Sequence, residues 1–120
     1  MKLLYLADLV AKYRLGRTIT GCRYHYYFFG PYSEEIQQAI ISLTEKGYLQ
    51  DSPVLTSAGQ AHDYSVAEGK RFELEVGEEE KKILDEIISK YGFRKLEYIV
   101  STAYRTPPMK KANPYQVILE

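Results

Sequence analysis

Few residues in this sequence could do metal or nucleophile chemistry: one cysteine, Cys22, and two histidines, His25 and His62. Cys22 and His25 stand three apart and could supply two ligands, but a structural zinc site needs four. A Cys–His nucleophile pair would also need a third group to orient the base, and the sequence marks none. We therefore predict no metal site and no cofactor, with Cys22 as a small buried side chain and His25 filling space in the core.

The sequence also lacks the usual catalytic motifs. No serine stands in a nucleophile-elbow pattern, and no glycine-rich phosphate loop is present. Acidic side chains crowd one segment as Glu78, Glu79, Glu80, Asp85 and Glu86. Such a run is typical of a solvated helix face whose first turn complements the helix dipole. We predict that the protein is not an enzyme.

Four basic residues are candidates for a phosphate-binding patch: Lys12, Arg14, Arg17 and Arg23. They are the basis of the alternative hypothesis, a winged-helix DNA-binding regulator. Charge argues against it, because sixteen basic and sixteen acidic side chains cancel over the chain. The helix that would read DNA also begins with Glu34 and Glu35, which repel phosphate.

An unbroken run of six ring-bearing side chains spans residues 24–29, in a chain with twelve tyrosines. Alternation in a strand would place Tyr24, Tyr26 and Phe28 on one face and His25, Tyr27 and Phe29 on the other. Neither face is polar. The run therefore predicts either a strand covered on both sides or a strand with one docking surface.

The elements around this run follow from apolar periodicity. Residues 2–15 have a helical stripe that includes Leu3, Leu6, Ala7, Val10 and Tyr13, and Gly16 is a natural stop. The aromatic strand, a corner at Gly30-Pro31 and an amphipathic helix over about 33–46 come next. Ser33 is the expected N-cap of that helix.

The rest of the chain predicts apolar Tyr48-Leu49, a turn at Asp51-Ser52-Pro53, a short return strand at Val54-Leu55 and a helix over roughly 58–67. A connector with extended pairing through Phe72, Leu74 and Val76 follows, and then come two helices, from Gly77 to Gly92 and about 94–104. The second of these buries Leu96, Ile99, Val100 and Ala103, and Pro107-Pro108 ends it. The apolar tail 117–119 docks on the core. We predict one α+β domain over 1–120, mainly helical with a small antiparallel element and a winged-helix-like hairpin.

Cysteine usage and hydropathy indicate the compartment. A single cysteine allows no intramolecular disulfide, which suits a reducing cytosol. No apolar run approaches the roughly 20 residues that cross a bilayer. We predict a cytoplasmic protein without a membrane partner.

Five segments in order resemble the Panacea family, also called SocA-like antitoxins or phage-associated proteins. They are KLLYLADL at 2–9, GRTITG at 16–21, YFFGPYSEEI at 27–36, EEEKKILDEIISKYG at 78–92 and RTPPM at 105–109. The sequence departs from the family pattern in two ways. It starts without the helix that usually precedes KLLYLAD, and Tyr32-Ser33 replaces the usual Val-Pro.

The resemblance implies a mostly helical domain with a small β element. It also implies that the domain neutralises a toxin, encoded nearby, by direct binding, or has a related role in phage defence. A non-enzymatic protein-interaction domain is therefore the main hypothesis, and a homo-oligomer is a further one. Exposed aromatics and arginines are enriched in interface hot spots. On that basis, the residues expected to contact a partner are Arg23, Tyr24, Tyr26, Tyr32, Tyr104 and Arg105.

Overall fold

The structure is a computed structural model and describes residues 1–57, 59–71 and 75–120. It is 47% helical, with five helices and small antiparallel sheets in these residues, so the predicted α+β class is confirmed. The elements in chain order are α1 (Lys2–Leu15), β1 (Tyr24–Tyr27), β2 (Gly30–Tyr32), α2 (Glu34–Glu45), β3 (Leu49–Thr56), β4 (Gly59–Val66), α3 (Glu78–Tyr91), α4 (Leu96–Tyr104), α5 (Pro107–Lys111) and β5 (Val117–Leu119). None of the helices described here is both long and apolar enough to cross a bilayer.

The chain divides into two compact units. The first combines Met1–Glu35 with Glu75–Glu120, and the second is Ile36–Leu74. The division falls inside the first turn of α2.

Helix α1 is the centre of the first unit and packs against α3, α4 and β2. Its bounds match the prediction, and Gly16 ends it in the left-handed conformation that glycine adopts at a helix C-terminus. Burial runs through consecutive residues from Tyr5 to Leu9, which shows that the first turns are covered on several sides. The predicted stripe is wrong at its end, because Tyr13 is exposed.

A three-stranded antiparallel sheet of order β2-β1-β5 completes this unit. The prediction of one strand over 24–29 with a corner at Gly30-Pro31 is wrong. Phe28 and Phe29 form the turn, and Pro31 pairs opposite Tyr26 in the returning strand. Tyr26 directs its N–H to the Gln116 carbonyl and its C=O to the Tyr115 N–H. The position of Pro31 therefore needs no backbone N–H to pair with Tyr26, and for this reason the strand tolerates a proline there.

The C-terminal elements of the first unit follow the prediction in part. Helix α4 starts at Leu96, which is exposed rather than buried as predicted, while Ile99 and Ala103 are buried. The two prolines end α4 and also start α5, because proline suits the first helical position. The Thr106 hydroxyl before α5 lies 2.6 Å from the Tyr5 hydroxyl of α1. The tail docks as predicted, with Leu119 of β5 buried beside β1.

The second unit consists of the rest of α2 and the β3–β4 hairpin. Helix α2 lies close to its predicted bounds, and Ser33 precedes it in a buried position. Residues 49–56 form a single strand, so the predicted turn at 51–53 is wrong. Both strands of a two-stranded sheet are edges, and an edge strand accepts Pro53.

The predicted helix over 58–67 is also wrong, because residues 59–66 pair along the whole of β3. Gly59 has a positive φ, and the Thr56 hydroxyl donates to its carbonyl at 2.7 Å. These contacts reverse the chain at a point where the sequence suggested a helix cap. Residue 58 lies outside the described residues, as do Phe72 and Leu74, for which extended pairing was predicted.

Candidate functional site

A fully buried carboxylate, Asp8 on α1, joins the segments at the start of the chain. Its Oδ1 accepts the backbone N–H groups of Ile19 and Thr20 at 2.7 and 3.0 Å. Its Oδ2 accepts the Thr20 hydroxyl at 2.5 Å and the Tyr24 hydroxyl at 2.7 Å. A buried carboxylate requires such donors, because burial without them is costly. Asp8 thus fixes the loop after α1 and the start of β1 onto the helix.

Tyr24 belongs to this buried cluster. Its side chain is 0% exposed, and its ring meets Tyr5 edge to face with centroids 5.4 Å apart. Burial, and then the hydrogen bond to the Asp8 carboxylate, raise the pKa of the Tyr24 phenol. Tyr24 offers no surface to a partner, which corrects the prediction that it contacts one.

Aromatic side chains gather instead around the β1–β2 turn. Phe28 and Phe29 are 64% and 85% exposed, and Tyr115 before β5 is 62% exposed. Tyr27 stacks on Tyr32 with centroids 4.6 Å apart and the rings within 8° of parallel. Tyr115 presents its edge to Tyr27 and Phe28, at 5.4 and 5.9 Å. We call these residues, Tyr27, Phe28, Phe29, Tyr32 and Tyr115, the aromatic surface.

Two half-buried tyrosines hold the turn in place. The Tyr104 hydroxyl donates to the carbonyls of Tyr27, at 2.9 Å, and of Phe28. Its ring packs edge to face against Tyr26, 5.7 Å away. Partial burial, with Tyr26 alongside, raises the pKa of the Tyr104 phenol. The aromatic surface is therefore carried on a backbone that a side chain from α4 fixes.

Tyr115 reaches the surface at a conformational cost. Its φ of 65° makes it the one non-glycine residue with positive φ in the described part of the chain. A tyrosine adopts this conformation only where its surroundings enforce it. Here its N–H donates to the Tyr26 carbonyl at 2.7 Å, and its ring contacts Tyr27 and Phe28.

The residues predicted to contact a partner have different surroundings. Tyr32 lies in the aromatic surface, and its hydroxyl donates to Glu34 at 2.8 Å, a hydrogen bond that raises its pKa. Tyr26 and Tyr104 support that surface. Arg23 pairs with Glu120 at 3.0 Å, and Arg105 is exposed.

Sequence reasoning missed the most exposed members of the surface, Phe28, Phe29 and Tyr115. A signal for the first two was present, since two aromatics stand directly before Gly30-Pro31. Nothing in the sequence indicated that Tyr115, almost ninety positions later, would meet them.

A family model for the SocA-like antitoxin, Panacea domain, matches residues 1–108. The chain belongs to this family. The resemblance in the sequence is thereby confirmed, and membership points to a role of the toxin–antitoxin type. The antitoxin-like family is generally non-catalytic. No curated protein and no solved structure matches the chain.

The family model covers some residues of the candidate site and not others. Asp8, Thr20 and the β1–β2 turn lie inside the matched residues. Strand β5 and Tyr115 follow the last matched residue, so the aromatic surface combines a matched hairpin with a segment beyond the match.

The four cations proposed for DNA each have an acceptor among the described residues. Arg14 pairs with Glu86 at 2.9 Å, Arg17 with Glu80 at 2.5 Å and Arg23 with Glu120. Lys12 lies 3.4 Å from the Glu120 carbonyl. The β3–β4 hairpin, which would be the wing, contains no lysine or arginine. These contacts reduce the positive potential that phosphate binding requires.

Among the described residues there is no group of three His, Cys, Asp or Glu side chains that could hold a metal ion. Cys22 is a free, half-buried thiol. His62 instead pairs with Asp51, with its Nδ1 3.0 Å from the carboxylate.

The ion pair between Arg17 and Glu80 predicts a pH effect on stability. Hydrogen bonds from the Glu80 backbone N–H, from Arg17 and from Gly77 hold the pKa of the Glu80 carboxyl below its usual value of 4.5. A depressed pKa stabilises the fold above pH 4.5, and that stabilisation is lost as pH falls through the folded-state pKa. We expect Glu80→Gln to flatten the loss of unfolding free energy between neutral pH and about pH 3, measured by urea titration. Glu79→Gln is the control, and an equal flattening there would contradict the assignment.

Proposed function

We propose that this Panacea domain neutralises a protein toxin by direct, non-enzymatic binding through the aromatic surface. The observation that carries the proposal is the exposure of Phe28 and Phe29 at a turn whose backbone carbonyls are held by Tyr104. Clustered exposed aromatics on a soluble protein mark interaction sites. Aromatic side chains are also enriched in the residues that dominate binding energy.

Rigidity strengthens this choice of surface. A partner that binds a pre-formed turn avoids the entropy cost of ordering it. The stacked pair Tyr27–Tyr32 and the edge contacts of Tyr115 fix the rings beside the exposed phenylalanines. Arg105, directly after Tyr104, would be a charged contact at the rim.

The toxin is the proposed occupant because the family match names antitoxins. We place the complex in the cytoplasm, where the single Cys22 thiol stays reduced. The DNA-binding alternative has less support, because its four cations already have acceptors within the protein.

The test is co-expression of the full chain with the product of each neighbouring gene, followed by pull-down and growth rescue. A neighbour that is toxic alone, bound by this chain and tolerated in its presence, is the expected result. The chain's oligomeric state is measured over a range of concentrations in parallel. Absence of any such neighbour would overturn the proposal, as would self-association that is lost on changing Phe28 and Phe29 to Ala.

A further inference from the structure

Among the residues that the structure describes, no strand pairs with the outer edge of β4. In that part of the chain the β3–β4 sheet has two strands, so each has a described neighbour on one side only. The register pairs Thr56 with Gly59 and continues to Leu49 with Val66. One step beyond, the Ala67 N–H donates to the Tyr48 carbonyl at 3.0 Å, which marks that pair as hydrogen-bonded.

Hydrogen-bonded pairs alternate with non-bonded ones along an antiparallel ladder. Counting in twos from Tyr48 and Ala67, the hydrogen-bonded residues of β4 are Gly59, Ala61, Asp63 and Ser65. The remaining residues of β4 direct their N–H and C=O groups away from β3: Gln60, His62, Tyr64 and Val66. These four are all exposed, and within the described part of the chain their backbone groups have no hydrogen-bond partner.

The opposite edge is less suited to pairing. By the same alternation, the outward positions of β3 include Pro53, which has no N–H to donate. Proline on an edge strand is a common protection against pairing with another chain. Strand β4 has neither a proline nor a lysine on its edge, so it is the open side of the hairpin.

The charge of the hairpin indicates which strand would fit. Residues 49–66 contain Asp51 and Asp63 and no lysine or arginine, which gives two negative charges with histidine neutral. A second copy of the hairpin would bring like charges together, whereas a strand with basic side chains would be attracted. A third strand would also stabilise a sheet of two strands.

We infer that the β4 edge binds an extended, basic segment of the partner protein as an added antiparallel strand. The backbone groups of Gln60, His62, Tyr64 and Val66 would supply the hydrogen bonds, and Asp63 would attract a lysine or arginine of the incoming strand. The identity of the partner as a toxin rests on the proposed function. The edge and the aromatic surface share no residue.

The experiment uses the ¹⁵N-labelled full chain and a capped octapeptide that alternates valine with lysine and threonine. The expected result is that the peptide slows hydrogen exchange at the four outward amides at least tenfold, and that a glutamate version of the peptide does not. His62→Pro removes one outward N–H and should weaken binding by about tenfold. His62→Ala keeps the N–H and should bind normally, as should Leu55→Pro, the matched change on the β3 edge.

A lysine peptide that is N-methylated at every residue covers the case in which a proline variant does not fold. It has no backbone N–H to donate on either edge, so it should fail to protect the wild-type amides. The inference is overturned if it protects them, if the glutamate peptide binds equally well or if exchange at these amides does not change. Without peptide, exchange at these amides could slow as the protein concentration rises. That result would show that a second copy of the chain occupies the edge, and it would also overturn the inference. No toxin is used, so failure here is separable from failure of growth rescue.

Discussion

Replacing Asp8 by Ala is expected to lower the free energy of unfolding by about 3–5 kcal/mol, a large effect for one residue. The carboxylate is fully buried and accepts four donors. Its removal leaves the Tyr24 hydroxyl buried without an acceptor and releases the loop that follows α1. Urea denaturation followed by circular dichroism, with linear extrapolation, gives the free energy.

Two further variants test whether the loss of stability is specific to the buried Asp8 carboxylate or would follow the removal of any carboxylate. Asp85→Ala removes an exposed carboxylate from α3 and should change stability by less than about 0.5 kcal/mol. Tyr24→Phe removes one of the four donors and should cost about 1–2 kcal/mol. A loss below about 1 kcal/mol in Asp8→Ala would show that the cluster does not hold α1, the loop and β1 together.

Changing Phe28 and Phe29 to Ala together is expected to abolish growth rescue and to weaken toxin binding at least about thirtyfold. This corresponds to roughly 2 kcal/mol, the level that defines an interface hot spot. Both side chains are exposed, so the unfolding free energy should fall by less than about 1 kcal/mol. Binding is measured by titration calorimetry with the toxin that the rescue screen identifies.

Phe93→Ala is the matched control for this variant. It removes an aromatic side chain that is 96% exposed, in the turn between α3 and α4 and outside the aromatic surface. Its binding and rescue should equal those of the wild type. If Phe93→Ala impairs binding as much as the Phe28 and Phe29 changes do, the interface includes the α3–α4 turn, and the aromatic surface is not its centre.

The two longest helices were predictable because their signals are local. Helices α1 and α3 match their predicted bounds, since apolar residues recur at helical spacing and glycines follow each helix. A hairpin was expected after α2, but the bounds and turn of the β3–β4 hairpin were not predictable in this way. Asp51-Ser52-Pro53 has turn-forming residues, yet an edge strand accepts them. Thr56 resembled a helix cap, but its hydroxyl bonds to Gly59 across the hairpin turn.

For the candidate site, the sequence predicted that aromatic side chains would form it but not which of them would be exposed. The aromatic run indicated that rings would either be covered or form a surface, but alternation does not say which rings are covered. Asp8 accepts a hydrogen bond from the Tyr24 hydroxyl, and this bond keeps Tyr24 in the core. The run then leaves the core within four residues, and Phe28 and Phe29 reach solvent at the turn. Tyr115 joins them through strand pairing between distant segments, which no local pattern encodes.

The hydrogen bond between Tyr5 and Thr106 has a consequence for synthesis of the protein. These residues are 101 positions apart, and a ribosome adds roughly 5–20 residues per second, so about 5–20 s separate the translation of the two. During that interval β1 lacks the strand β5 that pairs with it, and Tyr115 has not yet been made. A nascent chain therefore displays Phe28 and Phe29 before the rest of the aromatic surface exists, and the surface is complete only after Tyr115 has been translated.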